Sequence, residues 1–147
     1  MTQQFDTVQN PKHYTTHPSG IECEEISSML CSPLGQAFQY VFRRKQKGTE
    51  KQDLEKAVWW LKQKIEDIEN CPEHCISQYV NLPEDVDSKL NVLVTSEYGD
   101  SESVMDFYWQ LNLAIMSLCT ASEKRAITYL NVCVSLLEYE ILNIESN

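Results

Sequence analysis

The sequence predicts an all-α protein, a compact multi-helix bundle of about six helices behind an extended N-terminal segment. Three observations predict it. Apolar residues recur at steps of three and four along most of the chain, only four glycines interrupt it, and no stretch carries a β-hairpin signal. A length of 147 residues with 42% hydrophobic content suits a single helical domain, 1–147, with a real core.

The elements follow in order. The first dozen residues read as a lead-in, and Pro11 biases Asn10 away from helix, so the segment Asn10-Pro11-Lys12-His13-Tyr14 is extended or turning. Ser19-Gly20-Ile21-Glu22 has the form of a capping box, with Ser19 as N-cap of a helix running to about Leu30 and burying Ile21, Ile26, Met29 and Leu30. Ser32-Pro33 then opens a second helix that reaches about Lys45, where Gly48 stops it. Its core stripe is Leu34, Ala37, Phe38, Val41 and Phe42. Thr49-Glu50-Lys51-Gln52 makes another capping box, and Leu54, Val58, Leu61, Ile65 and Ile68 form a heptad seam ending near Asn70, with Pro72 beyond.

Cys71-Pro72-Glu73-His74-Cys75 reads as the loop that ends this helix. Two thiols and an imidazole so close together offer three zinc ligands, yet no second Cys/His pair completes a site, and no metal is expected. Pro83 opens a short helix with Val86, Leu90, Leu93 and Val94 on one side. Tyr98-Gly99-Asp100 is a turn, and Ser101 caps a helix that buries Val104, Phe107, Tyr108, Leu111, Ile115 and Leu118. The last helix runs from about Ser122 to Ile144 on a seam of Ile127, Leu130, Val134, Leu137, Ile141 and Ile144. Val132, Cys133, Leu136 and Leu142 make it apolar over much of its circumference, which places it at the centre of the bundle or in a homo-oligomer contact.

Charge narrows the partners. The net charge is −10, and residues 70–147 hold three Lys/Arg against twelve Asp/Glu, whereas residues 1–69 hold nine against ten. The acidic half repels long nucleic acid and acidic membrane, and no run is long enough to span a bilayer. The N-terminus lacks the charge and apolar block of a signal peptide, so a cytoplasmic location with reduced cysteines is expected. A small anion suits the first half.

Gln36, Gln39, Tyr40 and Arg43 form a second stripe on the Pro33 helix, and this one is polar. It is read as the lining of a site for a nucleotide-type anion. There is no P-loop and no dinucleotide fingerprint, so side chains must hold the phosphate: Lys12 and His13 from the N-terminal segment, Arg43, Arg44 and Lys47 from the helix end. Arg44, Lys45 and Lys47 serve equally well to offset the helix dipole. Tyr14, Tyr40 and Trp60 offer stacking faces, with Trp59 assigned to the core. Trp60 shares a helix side with Asp53 and Lys56, and Asp53 is placed to pair with Arg43 or to accept a sugar hydroxyl. His17 and His74 show no partner that would set them apart.

Four blocks carry a resemblance: Asn-Pro-Lys-His-Tyr at 10–14, Gly-Ile-Glu at 20–22, Leu-Gly-Gln-Ala-Phe-Gln-Tyr-Val-Phe-Arg at 34–43 and Asp-Leu-Glu-Lys-Ala-Val-Trp-Trp-Leu at 53–61. Together they resemble the small phage proteins grouped as domain of unknown function 3310, also labelled phage nucleotide kinases, over about residues 10–69. The resemblance implies a nucleotide site in residues 10–70 and phosphoryl transfer to a deoxynucleoside monophosphate, while the charge and periodicity of 71–147 make an acidic helical half. As an enzyme, the chain would neutralise phosphate charge with Lys12, His13 and Arg43 and hold Mg²⁺ on Glu22 or Asp53. Where the family has Gly-Asn, Lys-Tyr and Arg-Ala-Gly, this chain has Gly35-Gln36, Gln39-Tyr40 and Arg43-Arg44-Lys45. Losing the fixed cation at Gln39 removes a phosphate ligand or a stabiliser of transferred charge. Capture of a nucleotide or nucleotide-derived signal, as a phage uses against host defence, is therefore expected ahead of kinase activity. A helical adaptor that binds a host protein is the third reading.

Overall fold

The computed structural model describes residues 17–46, 48–77, 79, 85–95 and 100–146. These residues form helices and connecting turns, with no strand among them. In chain order the helices are α1 (Cys23–Ser27), α2 (Leu34–Arg43), α3 (Glu50–Asn70), α4 (Pro72–Ser77), α5 (Asp85–Leu93), α6 (Glu102–Cys119) and α7 (Glu123–Glu145).

Two long hairpins make the frame. α6 and α7 are joined by a tight turn in which Ala121 takes a positive φ of 59°, and they pack along most of their length. α2 and α3 form the other hairpin around Gly48, at φ 72°, where a left-handed conformation suits glycine. α3 then lies against α7. Lys51 pairs with Glu145 at 3.0 Å and Lys62 faces Glu138 at 3.9 Å, so the two helices run antiparallel. α1 covers α2, α5 covers α6, and α4 folds back beside α3.

The heptad seams point inward as their spacing requires. Leu54, Leu61, Leu130 and Leu137 are inaccessible, and Phe38, Phe107 and Tyr108 pack ring against ring between the hairpins. α7 is central, in contact with both α6 and α3, and it still leaves Val132, Tyr139 and Leu142 exposed. Ser101 caps α6 by accepting a hydrogen bond from the Val104 N–H.

Several expectations are corrected. α1 is a short helix whose N-cap is Glu22, not Ser19. Glu22 and Glu25 close a capping box, each side chain reaching the other's backbone N–H. Ser19 accepts instead from the Ile21 N–H, shaping the turn before the helix. Because the helix stops at Ser27, Met29 falls on the outside, at 42% exposed. Thr49 is the N-cap of α3 but makes no capping bond, since its hydroxyl donates to Asp53 at 3.4 Å. The segment 72–77, expected as loop, is helical, with Cys75 in the core and Cys71 and His74 outside. Cys71, His74 and Cys75 line one pocket, yet among the described residues no cluster of three His, Cys, Asp or Glu is arranged to hold a metal. All six cysteines are unpaired, and burial pushes the Cys23 thiol up to about 12.

Gly35 sets how closely α1 approaches α2. A Cβ there would lie 3.0 Å from the carbonyl oxygens of both Ser27 and Leu30, which are backbone atoms with little room to yield. Gly35→Ala should therefore cost about 1–3 kcal/mol as an overpacking change. Guanidinium unfolding would read this as a lower midpoint with an unchanged slope.

Candidate functional site

The polar stripe of α2 survives as a surface. Gln36, Gln39, Tyr40 and Arg43 are all half-buried, standing between the sealed core stripe and solvent. Gln39 leans toward α1, its amide donating to the Ser27 hydroxyl at 3.3 Å. Tyr40 is the centre of the face. The Arg43 guanidinium lies 4.6 Å from the Tyr40 ring centroid and the Lys56 ammonium 5.5 Å from it, so two cations from neighbouring helices meet one aromatic ring. The spacing is local physics: Tyr40 and Arg43 are one turn apart on α2, and the short Gly48 connection brings the first turns of α3 alongside. Lys56 is exposed and has no carboxylate within ion-pairing distance among the described residues.

The aromatic assignments on α3 reverse in part. Trp59, expected in the core, is 59% exposed, whereas Trp60 is half-buried and packed on the core edge. Their rings meet edge to face at 4.9 Å. Asp53 lies on the α3 wall but is buried, with the Thr49 hydroxyl as donor. Glu22 is occupied by its capping box. Lys12, His13, Tyr14 and Lys47 lie outside the described residues.

The structure adds an anchor at the end of α2, at a residue the sequence offered equally as a phosphate ligand and as an offset to the helix dipole. Arg44 is 2% exposed. Its guanidinium donates to Asp100 at 2.8 Å and to the Val41 carbonyl at 3.1 Å, with Glu50 3.6 Å away. The Val41 bond does satisfy a last-turn carbonyl of α2, so the dipole reading holds for that contact. The rest of the network ties the end of α2 to the start of α6. Tyr108 is buried beside it, and desolvation pushes its phenol well above the ordinary range. Only the pairing of Asp100 with a residue so far away in sequence reveals the clamp.

His17 also has partners, against expectation. Its ring stacks on Phe42 at 4.5 Å, and its Nδ1 accepts from the Ser19 hydroxyl at 2.8 Å and the Ser19 N–H at 3.2 Å. Two donors on Nδ1 fit the neutral ring with its proton on Nε2. Burial lowers its pKa, nearby Asp100 opposing and Arg44 reinforcing the shift. A base with a depressed folded pKa binds its proton more readily when unfolded. Stability from this group is thus complete above about pH 6.5 and falls as the pH drops below that value. In thermal unfolding between about pH 7 and pH 5, the wild type should lose stability faster than His17→Phe, and parallel curves would refute the assignment.

Lys64 is a further buried charge that the apolar seam concealed. It is 1% exposed, with its ammonium 5.3 Å from the Tyr79 ring centroid. A lysine three residues past Leu61 on the buried side of a heptad was the available signal.

What the α2–α3 face can do follows from these groups. Two cations flank an accessible ring beside amides and an indole, which suits an anion that carries a planar base. Comparison with protein-family models, with curated proteins and with solved structures returned no match.

Proposed function

We propose that the α2–α3 face binds a nucleotide or nucleotide-derived signalling molecule and holds it without turnover. The observation that carries this reading is the convergence of Arg43 and Lys56 on the half-buried Tyr40 ring. A base stacked on such a ring gains about 1–3 kcal/mol, and a guanidinium fork adds a bidentate phosphate contact. Lys12, His13, Tyr14 and Lys47 belong to the same proposal as further ligand groups. The resemblance of residues 10–69 to phage nucleotide-kinase-like proteins supports the ligand class and suggests an anti-defence role for the capture.

Transfer chemistry is the second reading, and two observations weigh against it. It would draw Mg²⁺ to Glu22 or Asp53. The Glu22 carboxylate is engaged in its capping box, and Asp53 is 4% exposed and bonded by Thr49. Gln39 stands where the resembled proteins carry a lysine, and its amide is tied to Ser27.

Incubating the protein with mono-, di- and cyclic nucleotides, ATP and magnesium tests both readings. Capture predicts that a nucleotide copurifies and is recovered unchanged after denaturation. Recovery of a phosphorylated product would establish transfer instead, and a protein that retains none of the panel would overturn both.

A further inference from the structure

A cleft of opposite charge to the α2–α3 face lies between the first turns of α6 and the last turns of α7. It encloses about 600 Å³ and is lined by Glu102, Ser103, Asp106, Leu136, Tyr139 and Glu140 among others. The volume falls within the range of small-molecule sites. Its three carboxylates have no Lys, Arg or His partner within ion-pairing distance among the described residues.

Glu140 separates this cleft from an ordinary acidic surface. The residue is 8% exposed, lines the cleft, and makes no side-chain hydrogen bond or ion pair among the described residues. Its carboxylate oxygens are not among the sealed polar atoms, so the stem is covered while the head group stays accessible at the cleft. Ser103, also 8% exposed and lining the cleft, likewise has no side-chain partner among the described residues. Helix polarity adds to the effect. Glu140 stands near the negative end of α7, whose last turn carries no basic residue, whereas Glu102 offsets the positive end of α6. The last turn of α7 already meets one cation, Lys51 on Glu145, so the attraction of the cleft itself rests on Glu102, Asp106 and Glu140.

The shape of the donor set decides which cation. Among the described residues no three acidic groups converge as a metal ion needs. They are spread along a trough whose wall also offers Leu136 and the exposed ring of Tyr139. We propose that this cleft binds an aliphatic polycation, with ammonium groups on separate carboxylates and its methylene stem along Leu136 and Tyr139. A free polyamine and a lysine-bearing segment of a partner protein share that chemistry. A second copy of this chain is a poor occupant, since its net charge of −10 repels.

Calorimetric titration of the full chain at low salt tests the proposal, with spermidine, a lysine-bearing peptide and Mg²⁺ as separate probes. Saturable binding of spermidine or of the peptide is expected, and whichever binds more tightly identifies the source. Glu140→Gln should weaken that binding at least tenfold. Should that variant misfold, Asp106→Asn on the exposed rim is expected to weaken it by a smaller factor. Absence of binding by both polycations, equal affinity in the folded variants, or competition by Mg²⁺ at equal concentration would overturn the proposal.

Discussion

Replacing Arg44 with alanine should cost about 3–5 kcal/mol of stability, the loss expected when one partner of a buried ion pair is removed. The size follows from what remains. Asp100 has a side chain only 7% exposed, and it would keep its charge without the guanidinium 2.8 Å away. The Val41 carbonyl would lose the guanidinium and keep only the Arg44 backbone N–H, and Glu50 would lose its neighbour. Arg44→Lys keeps the charge but not the fork that reaches Val41 and Asp100 together, so an intermediate loss is expected. Removing both ends, as Arg44→Met with Asp100→Leu, should cost less than the sum of the single changes. Guanidinium unfolding of the wild type and these variants, with Arg44→Met and Asp100→Leu also measured singly, reads the series, and a loss below about 1 kcal/mol for Arg44→Ala would place the pair with surface ion pairs.

Arg43→Ala, one residue away, should do the reverse: leave the fold in place and weaken nucleotide binding by about 10–100-fold. A charge-assisted hydrogen bond to phosphate contributes about 1.5–3 kcal/mol, which is that range of affinity. Tyr40→Ala should weaken binding by a similar factor through loss of stacking, and Tyr40→Phe should retain most of it. Lys56→Ala removes a cation with no ion pair among the described residues, so its effect should appear as a flatter salt dependence of affinity. The adjacent arginines thus separate function from stability. Titration of each variant with the nucleotide recovered from the wild type, alongside its thermal midpoint, checks the contrast.

Periodicity was a good guide wherever one face of a long helix had to be buried. The stripes Leu54–Ile68 and Leu130–Leu137 face the core because apolar spacing admits few other solutions. The polar stripe of α2 was legible for the same reason, since a helix with one buried face leaves the other to be read directly. Short elements were less legible. Glu22 and Ser19 both offer capping oxygens, and the choice between them depends on where the turn at Gly20, φ 78°, delivers the chain. Adjacent tryptophans differ by about 100° around a helix, so a small rotation of α3 decides which is buried. Trp60 took the core edge. Arg44, Asp100 and Lys64 were hidden for another reason: a buried charge is defined by partners distant in sequence, and helical spacing carries no record of them.

The central claim is that the non-core face of α2, with Lys56 and Trp60 of α3, is where a phosphorylated metabolite rests. Amide chemical-shift mapping during titration with the recovered nucleotide addresses it most directly. Shifts concentrated in 36–43 and 53–60, absent in Arg43→Ala, are the predicted result. Saturable binding whose shifts fall elsewhere, with that segment silent, would contradict it.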